Sequence, residues 1–210
     1  TRLSYILKTL SSYNQQKLKS PEVQQIFNRY ATYNGSSPFK APGMLSLIPH
    51  LEFNRGVFYP LGGMQKIADA VFALAQKTGV HFEFNAPAQR IIHSEGKARG
   101  IVAHHQNHFA DAVVSNADIY VTYKHLLGNE VKSQKVLKAE RSSSALIFYW
   151  GILKPFPQLD VHNILFSKDY YSEFKHLFRF KNISNDPTVY INVTSKKDPA
   201  HAPAGKENWF

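Results

Sequence analysis

The residues Gly62 and Gly63 stand where an anion-binding site could form. They close the apolar, aromatic stretch GVFYPLGGM (residues 56–64), and a helical pattern follows at once. Free N–H groups at a helix N-terminus bind phosphate, and glycine lets the backbone come close to a ligand. The further glycines and the lysine of a phosphate loop are missing. Three interpretations therefore stay open: a phosphate cradle, a wall of a substrate site, or a tight strand-to-helix turn.

Metal and nucleophile chemistry have little support in the residue types. The chain has no cysteine, which excludes disulfides, thiolate metal sites and cysteine nucleophiles. His104 and His105 are adjacent, and neighbours in a strand point to opposite faces, so they are interpreted as surface residues near a hairpin turn. No Gly-x-Gly-x-x-Gly, Walker, His-Glu-x-x-His or Gly-x-Ser-x-Gly motif occurs. We predict no metal site, and the catalytic residues stay unknown.

Several helices must position these residues. The sequence predicts helices at residues 2–18, 21–33, 64–77, 119–127 and 169–178, and a short or kinked one at 44–53, where Pro49 interrupts the pattern. Ser20 is the expected N-cap of the second helix, with Pro21 in its first turn. Gly79 is the expected stop of the helix at 64–77, and Ser115 or Asn116 is the expected cap of the helix at 119–127.

Alternating apolar residues predict the strands. A half-buried strand is expected at residues 80–84, followed by a β-meander at 88–93, 99–105 and 108–117 with turns at 94–97 and 106–107. Further strands are expected at 143–153, 162–166 and 188–195. Trp209 and Phe210 are expected to begin another strand. Helices and strands intermingle, so the predicted fold class is mixed α/β, or α+β.

Composition limits the classes of partner. Hydrophobic residues make up 43% and aromatic residues 13% of the 210 residues, so a packed core is expected. The formal charge of +10 attracts anions such as nucleic acid, anionic lipid or a phosphate-bearing cofactor. The basic residues are scattered, and no nucleic-acid-binding motif accompanies them, so no nucleic-acid partner is predicted. Because the sequence starts at Thr1 and not at a methionine, and stops at GKENWF, we expect an internal fragment of a longer protein.

Five segments in order carry a family resemblance. They are RYATYNGSSPFKAP (29–42), GVFYPLGGM (56–64), VVSNADIYVTYKHLL (113–127), HNILFSKDYYSEF (162–174) and DPTVYINVTSKKDPAHAPAGKENWF (186–210). Together they resemble the bacterial phytoene desaturases, which belong to the FAD-dependent, amine-oxidase-like enzymes. The first segment looks closer to the branch that desaturates hydroxylated or methoxylated carotenoids at the 3,4 position.

The resemblance implies a division of the chain and a set of sites. Residues 1–62 would be a helical region facing substrate and membrane, 63–127 a helix and meander that join the FAD domain, and 128–210 a substrate-domain sheet. FAD would contact the strand at Ala88 and Gln89 and the turn formed by Ser115, Asn116 and Ala117. The carotenoid would contact an aromatic region, for which the expected residues are Arg29, Tyr33, His50, Tyr59, Gly62 and Gly63. For each of these positions, core packing or a plain turn is the competing interpretation.

The resemblance also implies an activity and a location. The intact enzyme would form C=C bonds by hydride transfer to FAD, and this chain alone would bind FAD poorly because the N-terminal pyrophosphate motif is absent from it. A basic, aromatic surface would hold the protein peripherally at the cytoplasmic face of an anionic membrane. Three alternatives stay open: an oxidoreductase of the same fold acting on an amine or a retinoid, a non-catalytic lipid or carotenoid binder, and a nucleic-acid-binding domain. The oligomeric state is not predicted.

Overall fold

The computed structural model describes residues 6–128 and 133–210, and it contains both helices and small antiparallel sheets. The predicted mixed fold class is therefore confirmed. The chain forms two compact units, one made of residues 1–72 and 142–210 and the other of residues 73–141. The threefold division at residues 62 and 127 stays a prediction. No helix among the described residues is long and apolar enough to cross a bilayer.

The helices and strands have the following bounds. The helices are α1 (Leu10–Lys17), α2 (Pro21–Asn28), α3 (Leu47–Arg55), α4 (Gln65–Lys77), α5 (Ile119–Val121), α6 (Ser133–Leu137) and α7 (Tyr170–Lys175). The strands are β1 (Ala88–Ser94), β2 (Lys97–Ala103), β3 (Gln106–Phe109), β4 (Trp150–Ile152), β5 (His162–Leu165), β6 (Val189–Asn192) and β7 (Glu207–Trp209). A 3₁₀ turn, Arg29–Asn34, extends α2, and π-helices follow α5 and α7.

Side-chain caps fix where several helices begin. The Ser20 hydroxyl accepts a hydrogen bond from the Val23 N–H at the start of α2, as predicted, and Pro21 occupies the first turn. Asp118 caps α5 through the Tyr120 N–H, so the predicted caps Ser115 and Asn116 were wrong. Asp118 directly precedes the helix, whereas Asn116 and Ser115 lie two and three residues farther from it.

The first unit packs its N-terminal helices around a small core. Leu10 of α1 is fully buried against Ala31 and Ala41. The amide of Asn14 donates to the Asn28 side-chain oxygen at 2.9 Å, in a buried position, and this bond ties α1 to α2. Since a buried polar group needs a partner, the pair fixes the relative position of the two helices.

Two small sheets complete this unit. β5 pairs antiparallel with β6, with His162 opposite Asn192 and Ile164 opposite Tyr190. β4 pairs antiparallel with β7, so a strand forms in the C-terminal segment, but it ends at Trp209 instead of beginning there as predicted. The strand predicted at residues 143–153 was too long, because only β4 finds a partner edge within it.

The second unit contains the predicted meander, in the order β1-β2-β3. The turn between β1 and β2 consists of Glu95 and Gly96, both with positive φ, which is the geometry favoured in two-residue hairpins. The second turn is His104-His105, also with positive φ, so its predicted position at residues 106–107 was wrong. Gly100 lets β3 come close, since a Cβ atom there would lie 2.1 Å from the His108 carbonyl oxygen.

Two other predictions about this region fail. Residues 80–84 form no strand, and Phe84 is 70% exposed, because no described strand pairs with this segment. The apolar residues 112–114 also lie outside the sheet, and β3 ends at Phe109. The expected stop of α4 is confirmed: Gly79 has φ of +86° and donates its N–H to the Gln76 carbonyl.

Candidate functional site

Partly buried hydrogen bonds hold the end of α2 beside the β5–β6 sheet. Gln25 donates from Nε2 to the Ser167 carbonyl oxygen at 2.8 Å, and the Ser167 N–H donates to the Thr188 hydroxyl at 3.2 Å. Thr188 donates its own N–H and hydroxyl to the two carboxylate oxygens of Glu173, each at 2.7 Å. Because Ser167 and Glu173 are buried, this network fixes the position of Arg29, which follows α2.

Arg29 lies over the ring of Tyr190 in β6. Its Cζ atom is 5.1 Å from the ring centroid, which is a cation–π contact. The Tyr190 hydroxyl lies 2.7 Å from His162 Nδ1 and accepts a hydrogen bond from the Asn192 amide at 3.0 Å. The His162 and Tyr190 rings stack with centroids 6.0 Å apart. We call Arg29, His162, Tyr190 and Asn192 the Arg29 cluster.

Two stacked tyrosines share one carboxylate next to this cluster. Tyr30 and Tyr33 stack with their centroids 5.6 Å apart and the rings 9° from parallel. Tyr30 donates its hydroxyl to Glu52 Oε2 at 2.7 Å, and Tyr33 donates to Oε1 at 2.8 Å. Removal from water, and then the hydrogen bond to Glu52, raise the pKa of both tyrosines. Both hydroxyls therefore stay protonated at neutral pH, and they hold Glu52 in one orientation.

The Arg29 charge reaches both tyrosines. It acts to lower the pKa of Tyr30 and of Tyr33, against the larger effects that raise them. Tyr190 in turn acts on Tyr33. The predicted residue Arg29 thus belongs to the Arg29 cluster, and the predicted residue Tyr33 to the Tyr30–Tyr33–Glu52 group.

Two cavities lie along α3 and meet at the predicted residue His50. Their volumes are about 340 and 520 Å³, and both are lined by Tyr13, Ser46 and His50. The rest of the first wall is apolar and includes Met44 and Leu47. The rest of the second combines apolar and polar side chains: Leu18, Phe27, Pro49 and Phe53 with Asn14, Lys17 and Asn54. The amide of Asn54 donates to His50 Nδ1 at 3.0 Å, which leaves the neutral imidazole with its proton on Nε2.

The Gly62-Gly63 pair forms a turn. The Gly63 N–H donates to the Pro60 carbonyl, and Gly62 has φ of +84°, as the third residue of a type II turn requires. The Lys66 N–H donates to the Gly63 carbonyl and the Ile67 N–H to the Met64 carbonyl, so these two groups and the Gly63 N–H are not available to a phosphate. The turn interpretation fits this geometry, and a substrate role for the pair stays a prediction.

The predicted residue Tyr59 lies beside Gly63 and a histidine. Its hydroxyl is 3.3 Å from His201 Nε2, and a Cβ atom at Gly63 would lie 3.5 Å from the same nitrogen. Asp198 Oδ2 is 3.5 Å from His201 Nε2, and the Thr194 hydroxyl is 2.8 Å from Nδ1. This arrangement orients the imidazole from both ring nitrogens.

The predicted cofactor residues all lie in the second unit. β1, which starts at Ala88, pairs only with β2 among the described residues, so its other edge has no strand partner. Gln89 accepts the His105 N–H at 3.0 Å and helps to close the meander. The Ser115 hydroxyl is 2.8 Å from that of Thr122, whose π-helix packs against β1. Asn116 and Ala117 are exposed in the loop between them.

Sequence reasoning missed the partners of the predicted residues. Glu52, His162, Tyr190, Asn192 and His201 were not identified as site residues. The spacing of Tyr30 and Tyr33 by three positions in a helical segment could have indicated a shared partner. No local pattern connects Arg29 with Tyr190, because only the tertiary fold brings them together.

Comparison with known proteins places the chain among flavoenzymes. Residues 8–168 match the family described as flavin containing amine oxidoreductase. The chain is 53% identical over 205 residues to the 1-hydroxycarotenoid 3,4-desaturase of Flavobacterium sp. (strain P99-3), and the match covers 98% of this chain and 42% of that protein. It is 35% identical over 189 residues to the phytoene desaturase of Fusarium fujikuroi, covering 89% of this chain and 33% of that protein.

A solved structure supports the fold. An oxidoreductase from Methanosarcina mazei superposes with a TM-score of 0.62 and 18% identity, covering 96% of this chain and 46% of that one. The predicted resemblance to carotenoid desaturases is confirmed by these matches. The chain spans less than half the length of the curated relatives that it matches.

Proposed function

Because this chain belongs to the family of flavin containing amine oxidoreductases, we propose that the protein carrying it is an FAD-dependent carotenoid desaturase. The observation that carries this proposal is the 53% identity, over nearly the whole chain, to a protein named as a 1-hydroxycarotenoid 3,4-desaturase. The same relative supports the finer assignment, in which the substrate is a hydroxylated carotenoid and the new double bond forms at the 3,4 position.

The geometry of the first unit suits a long apolar substrate. The first cavity along α3 has a mainly apolar wall, and the second combines the apolar Leu18, Phe27 and Phe53 with several polar side chains, so both offer apolar surface to a hydrophobic ligand. Exposed aromatic side chains continue from this helix into the segment before the Gly62-Gly63 turn, at Phe53, Phe58 and Tyr59. The polyene would be oriented by these surfaces.

The second unit offers residues that fit part of FAD. The unpaired edge of β1 at Ala88 presents backbone N–H and C=O groups, which are the groups that adenine can bond without a specific side chain. Ser115, Asn116 and Ala117 are small or polar, are exposed, and follow the meander, so they fit a position beside the cofactor. When bound, FAD would supply the two-electron oxidation that turns a C–C bond of the polyene into a C=C bond.

Turnover by the complete protein tests the proposal. We would purify the full-length FAD-bound protein and incubate it separately with a hydroxylated acyclic carotenoid, a retinoid and a primary amine. Each added conjugated double bond should shift the carotenoid absorption to longer wavelength, and mass spectrometry should show a loss of two hydrogens. Oxidation of the amine or the retinoid alone, or a purified protein that binds no flavin, would refute the assignment.

We further propose that the protein docks peripherally on an anionic membrane, at its cytoplasmic face, where such a substrate resides. Exposed apolar side chains concentrate after α3, where Phe58 and Leu61 are each 87% exposed. The formal charge of +10 would add attraction to anionic headgroups. Apolar contact with the acyl boundary and electrostatic attraction would then act together.

Vesicle binding tests this docking. The full-length protein should co-sediment with phosphatidylglycerol-containing vesicles, and raised salt should weaken the binding. A Phe58→Ser/Leu61→Ser double variant should lose most of the bound fraction, whereas Val114→Ser, at a residue 93% exposed in the second unit, should not. Equal pelleting of wild type and double variant would contradict the assignment of this segment.

A further inference from the structure

The segment between α3 and α4 has no regular backbone structure to hold its side chains in place. Residues 57–61 form neither helix nor strand. Phe58 and Leu61 are each 87% exposed, whereas Tyr59 between them is 37% exposed. Such a segment loses conformational entropy when it is ordered, so a side-chain contact in its middle limits the arrangements that it can adopt.

Tyr59 makes that contact with His201, a residue 142 positions farther along the chain in the same unit. The Tyr59 hydroxyl lies 3.3 Å from His201 Nε2, and the two rings meet edge to face with centroids 6.1 Å apart. A Cβ atom at Gly63 would lie 3.5 Å from the same nitrogen and 3.7 Å from the Tyr59 hydroxyl. The turn that ends the segment therefore packs directly on this contact.

His201 is itself held by the C-terminal part of the unit. Its Nδ1 lies 2.8 Å from the Thr194 hydroxyl, which accepts a hydrogen bond from the Asn208 amide of β7 at 2.9 Å. Asp198 caps the 3₁₀ turn that ends at His201, through the Ala200 N–H, and its Oδ2 lies 3.5 Å from His201 Nε2. The His201 side chain is 28% exposed. A partly buried imidazole with partners at both ring nitrogens is suited to act as a fixed anchor.

We propose that His201 is a positioning residue, which holds Tyr59 against the protein and thereby presents Phe58 and Leu61 to a lipid surface as a preformed apolar patch. This inference rests on the proposed peripheral docking on an anionic membrane. A segment that is ordered before it binds does not lose that entropy on binding, so its apolar contacts contribute more of their free energy to affinity.

Two measurements on the full-length FAD-bound protein test the anchor and its effect on docking separately. Partition onto phosphatidylglycerol-containing vesicles measures docking. The rate of chymotrypsin cleavage after Phe58, followed by mass spectrometry without vesicles, measures how readily the segment opens. The variants are His201→Ala, the conservative His201→Gln, Tyr59→Phe and the control His81→Ala, at a histidine whose side chain is 86% exposed in the second unit.

Loss of the anchor should weaken docking and speed cleavage together. We expect His201→Ala to lower the partition coefficient by about 3- to 10-fold and to raise the cleavage rate by a similar factor, as the loss of one hydrogen bond would. Tyr59→Phe keeps the ring and should change both by about two- to fivefold. His201→Gln keeps a polar amide near Tyr59, and it should stay within about twofold of wild type, as should His81→Ala.

A double-mutant cycle separates positioning from a general loss of stability. If His201 acts by presenting Phe58 and Leu61, it has nothing to present once both are serine. His201→Ala should then change the partition of the Phe58→Ser/Leu61→Ser protein by less than about twofold. A loss of the same size in both backgrounds would show that His201 supports the whole unit, and it would overturn the inference.

Failure of this inference can be told from failure of the docking proposal. Wild-type protein that binds vesicles no better than His201→Ala and Tyr59→Phe would overturn the positioning role while docking stands. Wild-type protein that does not bind vesicles would overturn the docking proposal and this inference with it. If His201→Ala does not fold, Tyr59→Phe decides alone: weaker partition with faster cleavage supports the inference, and unchanged values refute it.

Discussion

The carboxylate of Glu207 should be one of the most important polar groups for the stability of the first unit. It is 5% exposed and accepts three hydrogen bonds. Lys196 Nζ lies 2.6 Å and the Phe156 nitrogen 3.1 Å from Oε1, and the Trp209 indole donates to Oε2 at 3.0 Å. Lys196 also donates to the Phe156 carbonyl at 2.9 Å. This group joins β7 to the segment after β4.

The substitution Glu207→Gln keeps the shape but not the pattern of acceptors. Glutamine has one acceptor oxygen, so its NH₂ group must face at least one of the three donors. Breaking a fully buried ion pair costs about 3–5 kcal/mol. Because the Lys196 side chain is 22% exposed and can reach water, we expect a smaller loss, of about 2–3 kcal/mol. In a protein of this size or larger, that loss lowers the thermal midpoint by several degrees.

The effect should depend on pH in a defined direction. Burial acts to raise the pKa of Glu207, but the hydrogen bonds from Lys196 and Trp209 outweigh it, so the pKa lies below the ordinary value of 4.5. A carboxylate with a lowered pKa contributes stability above its unfolded pKa and loses it as the pH falls through the folded pKa. The difference between wild type and Glu207→Gln should be full above about pH 5.5 and shrink below pH 4.5.

Thermal and urea unfolding of the full-length protein at several pH values would measure this difference. Glu95→Gln, at an exposed position in the β1–β2 turn, is the matched control. It should change the free energy of unfolding by less than about 0.5 kcal/mol. Equal stability of wild type and Glu207→Gln at pH 7 would refute the reasoning, as would a difference that grows on acidification.

Two further substitutions test the interior of the protein, Gly100→Ala in the second unit and Asn14→Ala in the first. Gly100→Ala would place a Cβ atom 2.1 Å from a carbonyl oxygen of β3, and we expect it to destabilise the meander by about 2–4 kcal/mol. Gly151→Ala, which meets nothing within 4 Å, should leave the thermal midpoint nearly unchanged. Asn14→Ala would leave the buried Asn28 oxygen without its donor, at a cost of about 1–3 kcal/mol. Exposed Asn34→Ala should cost far less, and equal midpoints for the two asparagine variants would contradict this account.

Local signals in the sequence predicted the local structure well. Ser20 followed by Pro21 predicts the start of α2, and Glu95-Gly96 predicts a tight hairpin, because each acts through atoms within a few residues. The failures occur where a partner decides the outcome. Residues 80–84 alternate between apolar and polar side chains, as a half-buried strand does. The alternation does not show whether another strand is available for backbone hydrogen bonds, and no described strand pairs with this segment.

The candidate site shows the same division. Arg29 and Tyr33 were predicted from a motif, and whether they bind substrate stays a prediction. Their structural partners could not be predicted, because Tyr190, which contacts Arg29, and Glu52, which bonds Tyr33, come from other parts of the chain. The bonds from Gln25 to Ser167 and from Thr188 to Glu173 help to bring Arg29 and Tyr190 together. A reading of single motifs therefore finds one side of a site and misses the groups that complete it.

The polar groups of the first unit are better suited to binding than to proton transfer. The pKa of both Tyr30 and Tyr33 is raised by removal from water and by Glu52, so neither tyrosinate forms near neutral pH, and arginine does not deprotonate in proteins. Oxidation of a conjugated chain leaves positive charge spread over many carbons, which lessens the need for a strong base in the protein. If these residues take part in the proposed desaturation, the raised pKa values therefore favour a role in binding over a role as a base.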